Sequence, residues 1–272
     1  MDNRVSIHVC TRDRFSELAM LLLSLREQTF TNWDLVIVDG SQPNPIFVSK
    51  FLVDITNRMK MEGHGITYVR ENFPQGVIMA RNTAIQSDNW SNPLILRVDD
   101  DSVCDRFYLE KLVKLIESKP DAGAVGGVVP LFGQMEIVRN SERIDVFSKI
   151  TFDSNGNVSR IGDDLGFCYE PNIIKQAHHL RSSFLFKKEA VEKVGMFPVD
   201  YGKYSFREES DFCIRILMAG YELWVDTSAI NWHLLAQSGG ARGPDYFESV
   251  QVSDAHFKRK LSWWKRSGKL NI

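Results

Sequence analysis

Hydrophobic residues in the first part of the chain switch repeatedly between strand-like and helix-like spacing. Val5, Ile7 and Val9 alternate with polar residues, which predicts a strand. Leucines at helical spacing within 18–25 then predict a helix, and the aliphatic run at 35–38 is typical of a parallel strand covered on both faces. The same alternation predicts helices at about 45–60, from Gly76 and around 109–116, and strands at 66–69 and 93–98.

The order of these elements predicts the fold of the first half. Strands that alternate with helices argue for an α/β fold with a mostly parallel central sheet flanked by helices, because each parallel pair needs a crossover connection. Ligands of such sheets bind beyond the carboxyl ends of the strands. Polar residues stand at three of these ends, at 11–13, Asp39 and Asp99–Asp101. We therefore expect these residues to line one crevice.

The pattern is less regular after residue 120. A buried strand is predicted at 124–129, whereas 132–178 contain turn chemistry and little periodicity. Shorter runs predict the remaining elements, namely a strand at 183–186, helices at 188–194 and 208–219, and two short strands at 222–225 and 229–232.

Asp99–Asp101 place three carboxylates side by side directly after an aliphatic strand. Like charges at this distance repel, so their ionisation costs free energy unless a positive group lies nearby. On this basis, removal of Asp101 is expected to leave the fold intact. A solvated turn or a helix N-terminus explains the run without a ligand, and a divalent cation explains it equally well. The residues alone leave both alternatives open.

Composition narrows the classes of function. The chain has 272 residues, 33 of them basic and 35 acidic, and this near balance gives no general attraction for nucleic acid. No apolar segment approaches the length of a membrane span, and the N-terminus carries no apolar signal region. The cysteines lack CxxC or metal-type spacing, which indicates reduced thiols and leads us to expect a cytoplasmic protein: Cys10, Cys104, Cys168 and Cys213.

Several short segments follow one another in an order that is typical of a known family. They are Val5–Arg14, Asp34–Ser41, Gly76–Asn82, Asp99–Asp101, Val194–Phe197, Glu208–Asp211, Gly220–Leu223 and Trp232-His233. Together they resemble the motifs of the family 2 glycosyltransferases over about residues 4–240, and the resemblance implies a single domain with the Rossmann-like GT-A fold. The chain departs from the family pattern twice. Gly40 replaces the second acid of a Val-Asp-Asp-Gly-Ser ending, and Glu209 stands where the family has its catalytic Asp.

The resemblance implies a divalent cofactor, Mn²⁺ or Mg²⁺, that neutralises the diphosphate of a nucleotide-sugar donor. Asp101 is the expected direct ligand, and Asp99 and Asp100 are expected to hold ribose or metal-bound water, with Asp99 also a candidate metal ligand. His233 is implied as a further ligand. A buried, hydrogen-bonded histidine is the alternative for His233.

Other residues are implied in nucleotide binding. Asp39 is expected to meet uracil or ribose together with Thr11 and Arg12, although turn chemistry before Gly40 also explains Asp39. Arg81 either reaches the nucleotide or forms a structural ion pair with one of the aspartates. The sequence does not separate these two roles of Arg81.

The acids at 208–211 have both a catalytic and a structural explanation. The resemblance implies Glu209 as the base that takes the proton of the acceptor hydroxyl in an inverting transfer, with Glu208 as the second candidate. Acids in the first turn of a helix also complement its dipole without any function. Asp211, four residues before Arg215, is typical of an exposed ion pair.

The resemblance also divides the chain. Residues 1–235 are expected to form the GT-A domain, with a nucleotide-sugar-binding half at 1–130 and an acceptor and catalytic half at 131–235. Glycines after His233 predict either a flexible loop that closes over the donor or an ordinary linker. Residues 236–272 thus comprise this loop and a C-terminal helix.

The C-terminal helix is predicted to be basic and amphipathic. No acid occurs from residue 255 onward, and Phe257, Leu261 and Trp264 share one helical face. This face either packs on the domain, which is the commoner use of such a stripe, or makes a peripheral contact with the inner face of an anionic membrane.

The main prediction is a metal-dependent, inverting glycosyltransferase that uses a nucleoside diphosphate sugar, most often UDP-linked in this family. Its acceptor would be a hydroxyl group of a glycan, a lipid-linked sugar or another glycoconjugate. A sugar-phosphate nucleotidyltransferase is an alternative, but it needs a glycine-rich loop after the first strand and 9–14 contain no glycine. A non-catalytic nucleotide-sugar-binding module would lack the base or the metal carboxylates, and both are present.

Overall fold

The computed structural model of the protein describes residues 3–71, 76–133, 147–162, 172–202, 204–241, 243 and 245–272. Cys168 lies outside these residues, as do positions 242 and 244 of the loop predicted after His233. The helices are α1 (Phe15–Arg26), α2 (Lys50–Met61), α3 (Val77–Ser87), α4 (Tyr108–Ser118), α5 (Lys188–Val194), α6 (Glu208–Met218) and α7 (Tyr246–Arg266), with a short 3-10 helix at Ile46–Val48. The strands are β1 (Val5–Thr11), β2 (Trp33–Asp39), β3 (Ile66–Arg70), β4 (Leu94–Asp99), β5 (Ser102–Cys104), β6 (Ala122–Val128), β7 (Ile150–Phe152), β8 (Val158–Ile161), β9 (Ile174–Ala177), β10 (Phe184–Lys187) and β11 (Glu222–His233).

The first half of the chain forms the parallel part of the sheet. β1 pairs in parallel with β2 and with β4, and β2 pairs in parallel with β3. Thr11 lies opposite Asp39, and Cys10 lies opposite Asp99. The predicted α/β class is confirmed, and the polar ends of β1, β2 and β4 meet at one edge of the sheet.

The second half of the sheet is mixed, so the sheet is less parallel than predicted. β10 runs antiparallel to both β4 and β6, and β11 is parallel to β6 but antiparallel to β5 and β9. β11 is one strand where the pattern predicted two, and its register slips between Val225 and Ile230. Sequence reasoning missed β5 and β7–β9 because three or four residues are too few for a periodic pattern.

Two large buried clusters and a small third one, between α3 and β2, cover the faces of the sheet. The first packs α1, α2 and α4 against the parallel strands, and the second packs α5, α6 and α7 against β6, β10 and β11. The second cluster contains the apolar stripe of α7, because Phe257 and Leu261 are fully buried and Trp264 is 7% exposed. The stripe thus packs on the domain, as the commoner of the two uses predicts, and these buried side chains offer no surface for a membrane contact. Within the part of the chain that the structure describes, no helix has the length and apolar character that a membrane crossing requires.

Replacing Leu261 by alanine is expected to lower the free energy of unfolding by about 2–5 kcal/mol, because it empties a fully buried site in the second cluster. Trp263 on the same helix is 52% exposed and provides the matched control. Trp263→Ala should change the free energy of unfolding by about 0.5 kcal/mol or less. Denaturant unfolding measures both variants, and equal losses would contradict this packing of α7.

Candidate active site

Asp99, Asp101 and His233 form a candidate metal centre. Each offers one ligand atom, and these atoms lie within 4.8 Å of one another. His233 ends β11, which pairs with β5 so that His233 lies opposite Ser102, the residue after Asp101. His233 Nε2 is 3.2 Å from Asp101 Oδ1. Two carboxylates and an imidazole suit Mn²⁺, and the carboxylates also suit Mg²⁺, so the side chains present fit a divalent ion.

Arginines offset the charge of the acidic triplet from two sides. Arg14 Nη1 donates to Asp100 Oδ1 at 2.7 Å and lies 3.2 Å from Asp101 Oδ2. Arg81 Nη2 donates to Asp99 Oδ1. Arginine side chains therefore compensate the repulsion among the three carboxylates that the sequence indicated. Sequence reasoning gave Arg14 no role in the site, and the available signal was its position just beyond the carboxyl end of β1.

The members of the triplet differ in ionisation. Burial, with Asp101 beside it, raises the pKa of Asp100 to about 6 even though Arg14 opposes the change. Burial also disfavours ionised Asp101, but His233 and Arg14 outweigh it and hold the pKa of Asp101 well below its ordinary value. The pKa of Asp99 is lowered because Arg81 and Arg97 outweigh burial. The two candidate carboxylate ligands thus hold a proton less tightly than Asp100 does, as metal binding requires.

Asp39 is fully buried and organises the loop after β2. Its Oδ1 accepts from the Ser41 N–H at 2.9 Å. Its Oδ2 accepts from the Ile46 N–H at 2.9 Å and the Tyr68 hydroxyl at 2.7 Å, and it lies 3.1 Å from Arg70 Nη1. The turn chemistry is therefore present. A contact of Asp39 with uracil or ribose stays a prediction, and it would use Oδ1, the less occupied oxygen.

Thr11, Arg12 and Arg81 lie around the same edge of the sheet. Thr11 is buried at the end of β1, whereas the side chain of Arg12 is half exposed and lies near Asp13. Arg81 forms the ion pair with Asp99, and its Nε and Nη1 have no hydrogen-bond partner among the described residues. Those N–H groups leave Arg81 capacity for a ligand. Nucleotide contacts of these three residues stay predictions.

Glu208 and Glu209 open α6 and differ in their surroundings. Glu208 is buried, and its Oε1 accepts from Arg97 Nη2 at 2.8 Å, whereas Glu209 is half-buried. Arg97 lies in β4 two residues before Asp99, so the carboxylate pair is tied to the strand that leads into the candidate metal centre. Sequence reasoning missed Arg97. The available signal was a charge inside a buried aliphatic run, because such a charge needs a buried partner.

The two glutamates hold their protons differently. Burial and the neighbouring Glu209 raise the pKa of Glu208 to about 8. Burial acts on Glu209 in the same direction, but the charge of Arg97 and the protonated Glu208 beside it outweigh burial and lower the pKa of Glu209. The pair therefore shares one proton near neutral pH, and that proton resides on Glu208. Glu209 is left ionised, as a general base must be.

Asp211 has a structural role that differs from the exposed ion pair expected of it. It is fully buried, and it accepts from Arg215 Nε at 2.9 Å and from the Tyr201 hydroxyl at 2.9 Å. Lys260 Nζ of α7 lies 2.6 Å from Oδ2, the oxygen that also accepts from Tyr201. Asp211 thus joins the helix of the glutamate pair to the C-terminal helix.

The loop after His233 packs directly on the acidic triplet. The Ala236 N–H donates to Asp101 Oδ2 at 3.1 Å, and Arg14 Nε donates to the Ser238 carbonyl at 3.1 Å. Gly240 has a left-handed backbone, and a Cβ there would lie 2.6 Å from the guanidinium of Arg14. Glycine is therefore required for this close approach. The predicted closing motion of the loop stays a prediction.

The glutamate pair predicts a pH dependence of stability that Glu208→Gln removes. Because the pKa of Glu208 is raised to about 8 from an ordinary 4.5, the folded protein holds a proton between these pH values that the unfolded chain releases. The free energy of unfolding should therefore fall as pH rises through this window, by at most about 1.4 kcal/mol per pH unit. Glutamine cannot ionise, so the variant should lose this slope. Denaturant unfolding from pH 5 to 8 measures it, and parallel curves would contradict the assignment.

Comparison with known proteins finds related sequences. The pattern of the family described as glycosyl transferase family 2 matches residues 6–191. A glucosyl-dolichyl phosphate glucuronosyltransferase of Haloferax volcanii is 27% identical over 225 residues, which cover 78% of this chain and 63% of that protein. The chain thus spans less than two thirds of the length of this relative.

Solved structures share the fold at low identity. GalNAc-T7 with UDP, GalNAc and Mn²⁺ superposes with a TM-score of 0.68 at 13% identity, covering 95% of this chain and 50% of that one. The mannosyltransferase PcManGT from Pyrobaculum calidifontis, in complex with GDP-Man and Mn²⁺, gives a TM-score of 0.59 at 17% identity, covering 98% of this chain and 72% of that one. These similarities establish the GT-A fold, and the family match extends over more than half of the chain. The chain therefore belongs to glycosyl transferase family 2.

Proposed function

We propose that this chain is a metal-dependent, inverting glycosyltransferase that moves a sugar from a nucleoside diphosphate sugar, UDP-linked in our preferred assignment, to an acceptor hydroxyl. One arrangement carries the proposal. Ligand atoms of Asp99, Asp101 and His233 lie within 4.8 Å of one another. The Arg97–Glu208 ion pair, at 2.8 Å, joins the helix of the candidate base to the strand that ends at Asp99.

The site supplies what departure of a nucleoside diphosphate demands. A divalent ion held by Asp99, Asp101 and His233 would neutralise the charge that develops on the diphosphate. The protein keeps the two carboxylates ionised and oriented through Arg81 and Arg14. Asp100 is held by Arg14 as well and would face the ribose or metal-bound water.

Glu209 would act as the base of a single displacement. It accepts the proton of the acceptor hydroxyl while that oxygen attacks the anomeric carbon and the diphosphate leaves, which inverts the configuration. Glu208 remains protonated beside it and does not compete for the acceptor proton. Thr11, Arg12 and Asp39 would bind the nucleoside at the neighbouring strand ends.

The acceptor is proposed as a hydroxyl group of a glycan or a lipid-linked sugar, in polysaccharide or glycoconjugate synthesis. The name of the Haloferax relative supports this class, because it describes transfer of a glucuronosyl group to glucosyl-dolichyl phosphate. The same name makes a nucleotide-linked hexuronate a donor worth testing. We place the reaction in the cytoplasm, in keeping with the free thiols of Cys10, Cys104 and Cys213.

A donor screen tests the function. The chain is incubated with Mn²⁺ and, in turn, UDP-glucose, UDP-N-acetylglucosamine, UDP-glucuronic acid and GDP-mannose, and release of the nucleoside diphosphate is measured without acceptor. One donor should give release that EDTA abolishes and that Asp101→Ala lacks. No release from any donor, together with no Mn²⁺-dependent binding of UDP or GDP in calorimetry, would contradict the proposal.

A further inference from the structure

Arg97 is a charged residue in an apolar setting. It is 4% exposed and stands between the fully buried Leu96 and Val98 of β4. Its guanidinium carbon lies 5.1 Å from the ring centre of Phe197 and 5.8 Å from that of Phe184. A buried charge costs several kcal/mol unless it is well paired, so this position needs a partner that justifies it.

The partner is one member of the glutamate pair, and the pairing is incomplete. Arg97 Nη2 donates to Glu208 Oε1 at 2.8 Å. Among the described residues, Arg97 Nε and Nη1 and Glu208 Oε2 have no hydrogen-bond partner. The guanidinium thus bonds one of two adjacent carboxylates, that of Glu208, and its positive charge also favours the ionised form of Glu209. The second oxygen of Glu208 is available to carry the proton that two such neighbours must share.

Charged and titratable groups approach the pair from several elements. Arg81 of α3 is bonded to Asp99. Arg207, which precedes α6, lies 2.7 Å from Asp254 of α7. His179, between β9 and β10, has its Nδ1 3.4 Å from the Ser210 hydroxyl. Arg97 donates to the pair directly, through its hydrogen bond to Glu208.

We propose that Arg97 is a positioning residue for the transfer reaction, which holds the start of α6 against β4 and keeps Glu209 as the ionised carboxylate. The inference rests on the proposed function, because Glu209 acts as a base only in such a reaction. Arg97 lies two residues before Asp99. One buried side chain therefore sets the spacing between the candidate metal centre and the base.

Arg97→Met and Arg97→Lys separate charge from geometry. Arg97→Met should move the acid limb of the pH profile of kcat/KM upward by about one unit or more, because ionised Glu209 loses a stabilising cation. Arg97→Lys keeps the charge and loses the planar guanidinium, so the limb should stay while kcat falls. A purely structural role would lower activity at every pH and leave the limb in place in both variants, and this result would overturn the proposal.

A titration without substrate separates failure of this inference from failure of the proposed function. Carboxyl-¹³C glutamate is incorporated, and Glu208→Gln and Glu209→Gln assign the two NMR signals. The Glu209 signal should titrate at higher pH in Arg97→Met than in the wild type.

If the Glu209 signal shifts in this way and no nucleotide sugar is turned over, the proposed function fails and the ionisation role of Arg97 stands. If transfer occurs and neither the kinetic limb nor the titration moves, Arg97 is not the positioning residue. If Arg97→Met does not fold, Arg97→Met/Glu208→Gln removes both partners and is compared with Glu208→Gln in the same titration.

Discussion

Glu209→Gln is expected to lower the rate of sugar transfer by about two to four orders of magnitude and to leave binding of the nucleotide sugar unchanged. Glutamine has nearly the shape of glutamate but cannot take up the proton of the acceptor hydroxyl. Arg97 and Glu208 lower the pKa of Glu209 against the effect of its burial, so the wild-type side chain is ionised at neutral pH. Transfer kinetics give the rate, and calorimetry with Mn²⁺ and the donor nucleotide gives the affinity.

Glu208→Gln is the matched control for this prediction. Glu208 carries a proton at neutral pH because burial and Glu209 raise its pKa to about 8, and glutamine reproduces this neutral form. The control should lose less than about tenfold in rate, which is less than removal of a general base costs. An inactive Glu208→Gln beside an active Glu209→Gln would reverse the two roles.

Asp101→Ala is expected to abolish Mn²⁺-dependent binding of UDP. Asp101 shares the candidate metal centre with Asp99 and His233, and a centre reduced to one carboxylate and one imidazole holds a divalent ion poorly. Calorimetry of the variant with Mn²⁺ and UDP measures the loss. Wild-type affinity in a folded variant would show that Asp101 is not a ligand.

The structure changes the expected effect of this substitution on stability. Repulsion within the triplet predicted that loss of Asp101 would not destabilise the fold, but the contacts of Asp101 lead us to expect a loss of stability. Asp101 is 2% exposed, accepts from the Ala236 N–H and lies beside Arg14 and His233. Its removal leaves buried donors unpaired, so we expect a loss of about 1–3 kcal/mol in the free energy of unfolding. Asp101→Asn keeps part of the hydrogen bonding and should cost less, and thermal unfolding compares the two.

The first half of the fold could be predicted because its information is local. Each strand and helix has its own periodic pattern, and the parallel pairing of β1, β2 and β4 then brings the ends of these strands together. A family resemblance predicted Asp99, Asp101 and His233 as candidate metal ligands. The pairing of β11 with β5 is the physical reason that His233 reaches the aspartates.

What the sequence did not reveal are partnerships between distant buried residues. The sequence shows that Arg97 interrupts the aliphatic run of β4, but it does not show that Glu208 is its partner. It likewise places Arg14 after β1 without showing that Arg14 pairs with Asp100. The sequence predicted the apolar face of α7, but it did not show that the second cluster covers this face. Asp211 was misjudged for the same reason, because local spacing shows Arg215 and not Lys260.

The contact between Lys260 and Asp211 has a consequence for synthesis on the ribosome. The N-terminal strands of a chain emerge first and can pair before the rest is made. α6 carries the glutamate pair, yet its buried Asp211 lacks one of its cationic partners until α7 has been translated. The strand ends of the proposed nucleotide site can therefore form early, whereas the helix that carries the candidate base is completed last. Under the proposed function, a nascent chain of this protein would hold donor before it could transfer sugar.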